Sequence, residues 1–222
     1  TPFVSGKDSL NNQLRYTDPK TGEQKLIEIP PTLLITGLAI VQDVARCVTM
    51  DAKSAGNVLI LVGETSDCMG GSHLQQIARE AIGNSAIPQT DLVVGPRTAR
   101  VVASVIANGL VRSAHDVSDG GLLCAVAEML IAGSTIKKPL GATLNLDAVH
   151  ADLAAAAFSE SPSRYVLEIA PAHAKEVQAK LAAGGAPARV VGTLDNSGRL
   201  TASGLNAGVE DLAKAWLAPL DW

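Results

Sequence analysis

Ala114-His115-Asp116-Val117-Ser118-Asp119-Gly120-Gly121-Leu122 is a polar stretch caught between two segments that both read as buried. A short apolar run, Gly109-Leu110-Val111, leads into it, and an almost wholly apolar run from Leu122 to Ile131 leaves it. A chain of this pattern must fold so that a polar loop sits at the rim of a core. Two glycines let backbone amides approach a ligand closely, and free amides at a helix start carry partial positive charge that suits phosphate. Asp116 can ligate a hard cation through oxygen, and Ser118 can donate to a phosphate or cap the helix. This is the layout of a nucleotide site; a capped helix start with a surface His-Asp pair fits the same residues.

Apolar runs and turn residues order the rest of the chain. Asp18-Pro19 and Thr21-Gly22, inside the charged stretch Arg15 to Lys25, predict a hairpin tip between two strands. Pro30-Pro31 stops any helix. Leu33 to Val41 predicts a buried strand, and Val44 to Met50 fits either a short helix or an edge strand. Ala55-Gly56-Asn57 is a turn and marks an expected boundary between domains 1–55 and 56–222. Val58 to Gly63 predicts a second buried strand, which opens on the polar loop Glu64 to His73 with Gly70-Gly71-Ser72 at a helix start. That loop fits a metal-phosphate site and, more simply, an ordinary glycine-rich turn. His73 has no second histidine at ligand spacing and reads as a loop residue.

Thr98 to Asn108 predicts an amphipathic helix with Val101, Val102, Val105 and Ile106 on one face. A helix from Gly120 to about Ala132, interrupted only by Glu128, is apolar nearly all round and so packs on both sides. Ala142 to Leu146 and Tyr165 to Ile169 read as strands, and Pro171 opens a helix that runs to Gly184-Gly185. Arg189 to Leu194 and Arg199 to Ala202, about Asn196-Ser197-Gly198, predict a hairpin. Val209 to Leu217 predicts a terminal helix. Glu160 and Arg164, four residues apart, predict a salt-bridged turn. The fold class is therefore α+β (α/β layered), with a mixed sheet and helices.

Composition excludes several classes. With 47% hydrophobic and 18% charged residues the 222-residue chain is globular rather than disordered. A net charge of −4 without a basic block, and only two each of Trp, Tyr and Phe, argue against nucleic acid as a partner. The apolar runs are too short to span a bilayer. Cys47, Cys68 and Cys124, with no C-x-x-C spacing, read as reduced thiols of a cytosolic protein.

Four stretches together resemble one family. They are Thr1-Pro2-Phe3-Val4-Ser5-Gly6-Lys7-Asp8-Ser9-Leu10-Asn11-Asn12, Ile29-Pro30-Pro31-Thr32, the His115-Asp116-x-Ser118-x-Gly120-Gly121-Leu122 motif, and Phe158-Ser159-Glu160-Ser161-Pro162-Ser163-Arg164. In order and spacing they look like the C-terminal part of the phosphoribosylformylglycinamidine synthases, within the aminoimidazole ribonucleotide synthetase superfamily. The resemblance implies a second C-type domain preceded by a partial N-type, ATP-binding-like domain. It implies an ATP- and glutamine-dependent ligase of purine biosynthesis that adds ammonia to a phosphoryl-activated amide, with Mg²⁺ and ATP or ADP as cofactors.

Carried over residue by residue, the resemblance implies Asp116 as a magnesium ligand, Ser118 and Gly6 as nucleotide contacts and Ser9 as a substrate contact. Lys7 departs from the shorter family members, which carry a metal-ligating amide there; a lysine cannot ligate Mg²⁺ but can neutralise a phosphate, so Lys7 is assigned to the nucleotide. Phe158 to Arg164 is implied as a wall of the nucleotide cleft.

The catalytic histidine of the family lies in a region this chain lacks, and His115, His150 and His173 have no setting that marks a base, so no catalytic residue is assigned. The chain starts at Thr1, inside a motif, and reads as a fragment that is inactive alone, with open strand edges in Thr1 to Val41. The implied partners are the N-terminal half of the same synthase, a glutaminase subunit that supplies ammonia and a small-molecule substrate. Homo-oligomers are left open, and the setting is cytoplasmic. A scaffold that binds no nucleotide, or a hydrogenase-maturation or thiamine-phosphate kinase relative, are the alternatives.

Overall fold

The computed structural model describes residue 6 and residues 12–30, 34–41, 43–135 and 138–220, and the chain divides into two units, 1–42 and 43–222. In the first unit Gln13–Thr17 (β1) and Gln24–Glu28 (β2) pair antiparallel, with Gln13 opposite Glu28 and Thr17 opposite Gln24. Asp18 closes the turn: its carboxylate accepts from the Lys20 amide at 2.8 Å and pairs with Lys25 Nζ at 2.5 Å. The expected hairpin is present.

The expected buried strand over Leu33 to Val41 is not formed. Residues 34–41 carry no strand, and Leu34, Leu38 and Ile40 are 90%, 96% and 93% exposed; Leu33 lies outside the described residues. An apolar run becomes a strand only where a ladder takes up its amides and carbonyls, and the sheet described in this unit is the two-stranded hairpin alone.

The second unit is built on Val58–Val62 (β3). Leu59 and Leu61 belong to one buried cluster and Ile60 and Val62 to another, which is why this strand is apolar throughout and not alternating. The chain continues through His73–Ile77 (α1), Arg79–Ile82 (α2), Val94–Ala107 (α3), Ser113–Asp116 (β4), Gly121–Gly133 (α4), Gly141–Leu144 (β5), Leu153–Phe158 (α5) and Tyr165–Ile169 (β6). It ends with Ala174–Ala183 (α6), Ala188–Asp195 (β7), Arg199–Ala202 (β8), Leu205–Gly208 (β9) and Val209–Leu217 (α7). The seven-stranded sheet has the order β4-β6-β3-β7-β5-β8-β9, antiparallel throughout except for the parallel pair β5–β8. Helices α3 and α6 cover the Ile60 side through Val102, Val105, Val177 and Leu181, while α4 and α5 cover the Leu59 side through Val126, Met129, Leu130 and Ala156. This is the layered α+β fold with a mixed sheet. Each fully buried Leu, Ile or Met of these clusters contributes about 1.5–3 kcal/mol.

Two details differ from the sequence reading, and the open choice of short helix or edge strand at Val44 to Met50 falls to the helix. Helix α3 starts at Val94 rather than Thr98, because Asp91 accepts from the Val93 and Val94 amides at 2.8 Å and Pro96 falls in the first turn, where a missing N–H is no loss. The expected hairpin between β7 and β8 is absent: β5 lies between them, with Gly141 opposite Asp195 and Ala142 opposite Leu200. Asn196-Ser197-Gly198 encodes the reversal but not which strand fills the gap. Val44–Arg46 is a single 3₁₀ turn.

Candidate functional site

Sheet register places three loops side by side. Val62 and Asp116 both pair with Tyr165. The loop after β3, the loop after β4 and the loop before β6 therefore emerge at one end of the sheet. The first carries Gly63 to Ser72, the second Val117 to Gly120 and the third Ser159 to Arg164.

The third loop is pinned from within. Arg164 is 2% exposed; its guanidinium donates to the Ser161 carbonyl at 3.1 Å, to Thr65 Oγ1 at 2.9 Å and to the Ser159 carbonyl. Burial lowers its pKa to about 10. The expected Glu160–Arg164 bridge is not formed, because Glu160 turns to the His73 and Gly120 amides and Arg164 to Thr65 and the Ser159 and Ser161 carbonyls. Ser161 Oγ, buried, meets Ser66 Oγ at 2.9 Å and Ser159 Oγ at 2.8 Å and accepts from the Ser66 amide.

In the second loop Asp116 and Ser118 come together: Ser118 Oγ donates to Asp116 Oδ2 at 2.5 Å, and His115 Nδ1 lies 3.1 Å from Asp116 Oδ1. The Ser118 hydroxyl first, then the residue's own backbone amide and the His115 ring, hold the Asp116 carboxyl below the ordinary aspartate range. His115 Nε2 meets Glu128 Oε2 at 2.7 Å, so the ring bridges two carboxylates. Ser118 does not cap α4. Gly120 stands at the cap with φ +74 and no side-chain bond, and the Ser118 carbonyl accepts from the Gly121 amide.

Gly121 has φ +72, and a Cβ there would lie 2.6–2.7 Å from Phe158 backbone atoms and the Ser159 carbonyl. Gly121→Ala should therefore destabilise the fold by about 2–3 kcal/mol, read as a lowered Tm by circular dichroism, since an unfavourable φ and a backbone clash coincide.

The first and second loops are joined through Glu160. Its Oε1 accepts from the His73 amide at 2.9 Å and the Gly120 amide at 2.8 Å, and His73 Nδ1 lies 3.2 Å away. His73, Asp119 and Glu160 each place a ligand atom within 4.8 Å of the others. Sequence reasoning missed this role of His73 and Glu160, because their partners are 87 and 40 residues away. Glu128 did leave a signal, as the one charged residue in an apolar helix.

Beside these loops lies a cavity of about 280 Å³, lined in part by Thr65, Ser66, Asp91, Thr98, Ser161 and Ser163. Thr98 Oγ1 is buried and has no hydrogen-bond partner among the described residues. Thr98→Val should raise stability by about 1 kcal/mol in a urea titration, because an unpaired buried hydroxyl costs more than the methyl replacing it.

Of the other residues expected at a site, Gly6 is exposed in the first unit, and Lys7 and Ser9 lie outside the described residues. An acidic carboxylate paired with a serine and two positive-φ glycines thus stand at the start of a 13-residue helix, at the end of a mixed sheet. Residues 54–204 match the family model described as "AIR synthase related protein, C-terminal domain", and the chain belongs to that family.

Among curated proteins the chain is 33% identical over 221 residues to the phosphoribosylformylglycinamidine synthase subunit PurL of Corynebacterium ammoniagenes, covering 99% of this chain and 27% of the relative. It is likewise 33% identical over 196 residues to the PurL subunit of Alkaliphilus metalliredigens, covering 87% and 24%. The chain thus spans about a quarter of the length of the curated relatives it matches. In fold it is similar to T. maritima PurL complexed with FGAR (TM-score 0.62, 19% identity, 77% of this chain and 30% of that one). It is also similar to T. maritima PurL complexed with ATP (TM-score 0.60, 20% identity, 77% and 28%) and to E. coli HypE (TM-score 0.52, 16% identity, 71% and 49%).

Proposed function

We propose that the chain is a C-terminal part of an ATP-dependent carbon-nitrogen ligase of the phosphoribosylformylglycinamidine synthase kind, acting in purine biosynthesis, and that its own contribution is a Mg²⁺-nucleotide site. One observation carries the reading: Asp116, charged and 61% exposed at its side chain, stands with Ser118 at the glycine-rich start of α4. An exposed carboxylate is a hard oxygen ligand of the kind Mg²⁺ takes. When bound, that ion would neutralise phosphate charge. Asp116 would hold it, Ser118 would release Asp116 to donate to a phosphate oxygen, and the Gly120–Gly121 backbone would let the phosphate approach.

The reading keeps Gly6 and Lys7 as nucleotide contacts and Ser9 as a substrate contact, on the family likeness. It keeps the division into an N-type remnant over 1–55 and a C-type domain over 56–222. The N-terminal half of the synthase, a glutaminase subunit and formylglycinamide ribonucleotide are its proposed partners, in the cytoplasm. Among the described residues no helix is long and apolar enough to cross a membrane.

The 222 residues alone should show no ADP release dependent on ATP, formylglycinamide ribonucleotide and ammonia. Positioned bases and substrate contacts supply the rate, and losing a base alone typically costs roughly 10²–10⁴-fold. A coupled ADP-release assay with amidine product detection tests this; product from the isolated chain would overturn it. Absence of any nucleotide binding would favour the scaffold reading.

A further inference from the structure

We propose that Glu160 is the positioning residue of this site: one carboxylate oxygen clamps the loop after β3 to the loop after β4 and so fixes where Asp116 and Ser118 stand. The proposal rests on the nucleotide reading for its functional consequence, and on geometry alone for the clamp.

Glu160 Oε1 accepts from two backbone amides that belong to different loops, Gly120 at 2.8 Å and His73 at 2.9 Å. Gly120 carries φ +74 and immediately precedes α4, and no side chain of its own loop caps that helix. The charge that an anionic cap would supply at this helix start comes instead from Glu160, 40 residues on. The clamp is itself anchored. The adjoining Ser161 and Arg164 tie the same segment to Ser66, Thr65 and the Ser159 carbonyl, and the Glu160 side chain is 17% exposed.

Two consequences follow from this placement. Oε1 spends its lone pairs on amide donors, so it is poorly placed as a metal ligand despite its closeness to His73 and Asp119. The His73 ring, 3.2 Å away, donates to the same carboxylate when Nδ1 carries the proton. The clamp also brings an acidic group beside Asp119, while residues 114–122 carry no Lys or Arg. Polyphosphate entering there meets negative charge unless a divalent cation accompanies it, so the site should take a metal-nucleotide complex rather than free nucleotide.

Charge and geometry separate in two variants. Glu160→Gln keeps an oxygen acceptor for both amides, whereas Glu160→Ala removes it. Amide hydrogen exchange by NMR and calorimetric titration with ADP, with and without Mg²⁺, should be run on the whole chain and both variants. The expected result is protected His73 and Gly120 amides in the wild type and in Glu160→Gln, and loss of protection at both in Glu160→Ala. Mg²⁺-ADP affinity should fall by about tenfold or more in Glu160→Ala and stay within about threefold in Glu160→Gln. Metal-free ADP should bind more tightly to Glu160→Gln than to the wild type. Unchanged protection in Glu160→Ala would overturn the clamp. If the wild type binds no Mg²⁺-ADP, the nucleotide reading falls and the two amides alone judge the clamp. Should Glu160→Ala not fold, Glu160→Asp, one methylene too short to reach both amides, takes its place with the same expectations.

Discussion

Asp116→Ala should remove Mg²⁺-dependent ADP binding while leaving the fold intact. Asp116 contributes no core packing; its bonds are to Ser118 and His115 at the surface, so the Tm should barely move. The affinity loss should be at least the roughly 10–100-fold that follows removal of even an outer partner of a metal ligand. Acidity offers a second readout. Ser118 and His115 hold the Asp116 carboxyl below the ordinary value of 3.8, so the carboxylate persists above that value and is lost only as pH falls through a lower one. Carboxyl-carbon NMR should place the titration of Asp116 below 3.8, and Ser118→Ala should move it upward, because Ser118 is the largest cause. A Mg²⁺-ADP affinity unchanged in Asp116→Ala would sink the assignment.

The largest loss of stability should come from Arg164→Ala. The guanidinium is fully enclosed and satisfies two carbonyls and a hydroxyl on two loops. Its removal leaves those acceptors unpaired and opens a cavity against Gly63, whose φ of +97 and lack of a Cβ already accommodate the Arg164 stem. A cost of about 3–5 kcal/mol is expected, enough to abolish the folded state of a marginal domain. Arg164→Lys should recover little, because an ammonium cannot reproduce the fork that reaches Ser159, Ser161 and Thr65 together. Urea titrations of both variants, followed by far-ultraviolet circular dichroism, check this. A loss under about 1 kcal/mol for either would contradict the role given to Arg164.

Local signals carried much of this molecule into the sequence reading. The β3 run, the β1–β2 turn at Asp18 to Gly22 and the apolar helix after Gly121 each declare themselves within a few residues. Asp116 and Ser118 were legible as candidate site residues, but their hydrogen bond to each other was not, and Ser118 does not take the capping role open to it. What could not be read was set by distant partners. The apolar stretch at 34–41 has strand composition but no described ladder partner. The Asn196-Ser197-Gly198 reversal gives no hint that β5 enters between its two arms. Glu160 and Arg164 carry the spacing of a helical ion pair, yet tertiary contacts turn one toward His73 and Gly120 and the other toward Thr65. A four-residue spacing constrains geometry only when the segment is a helix, and residues 159–164 are a loop.

We propose that the loop from Asp116 to Gly121 forms a Mg²⁺-nucleotide site. Isothermal titration of ADP into the purified chain, first with Mg²⁺ and then with EDTA, tests it most directly. The expected result is one saturable binding event in Mg²⁺ that disappears in EDTA and in Asp116→Ala. A flat titration in Mg²⁺, or equal affinity with and without the metal, would contradict it.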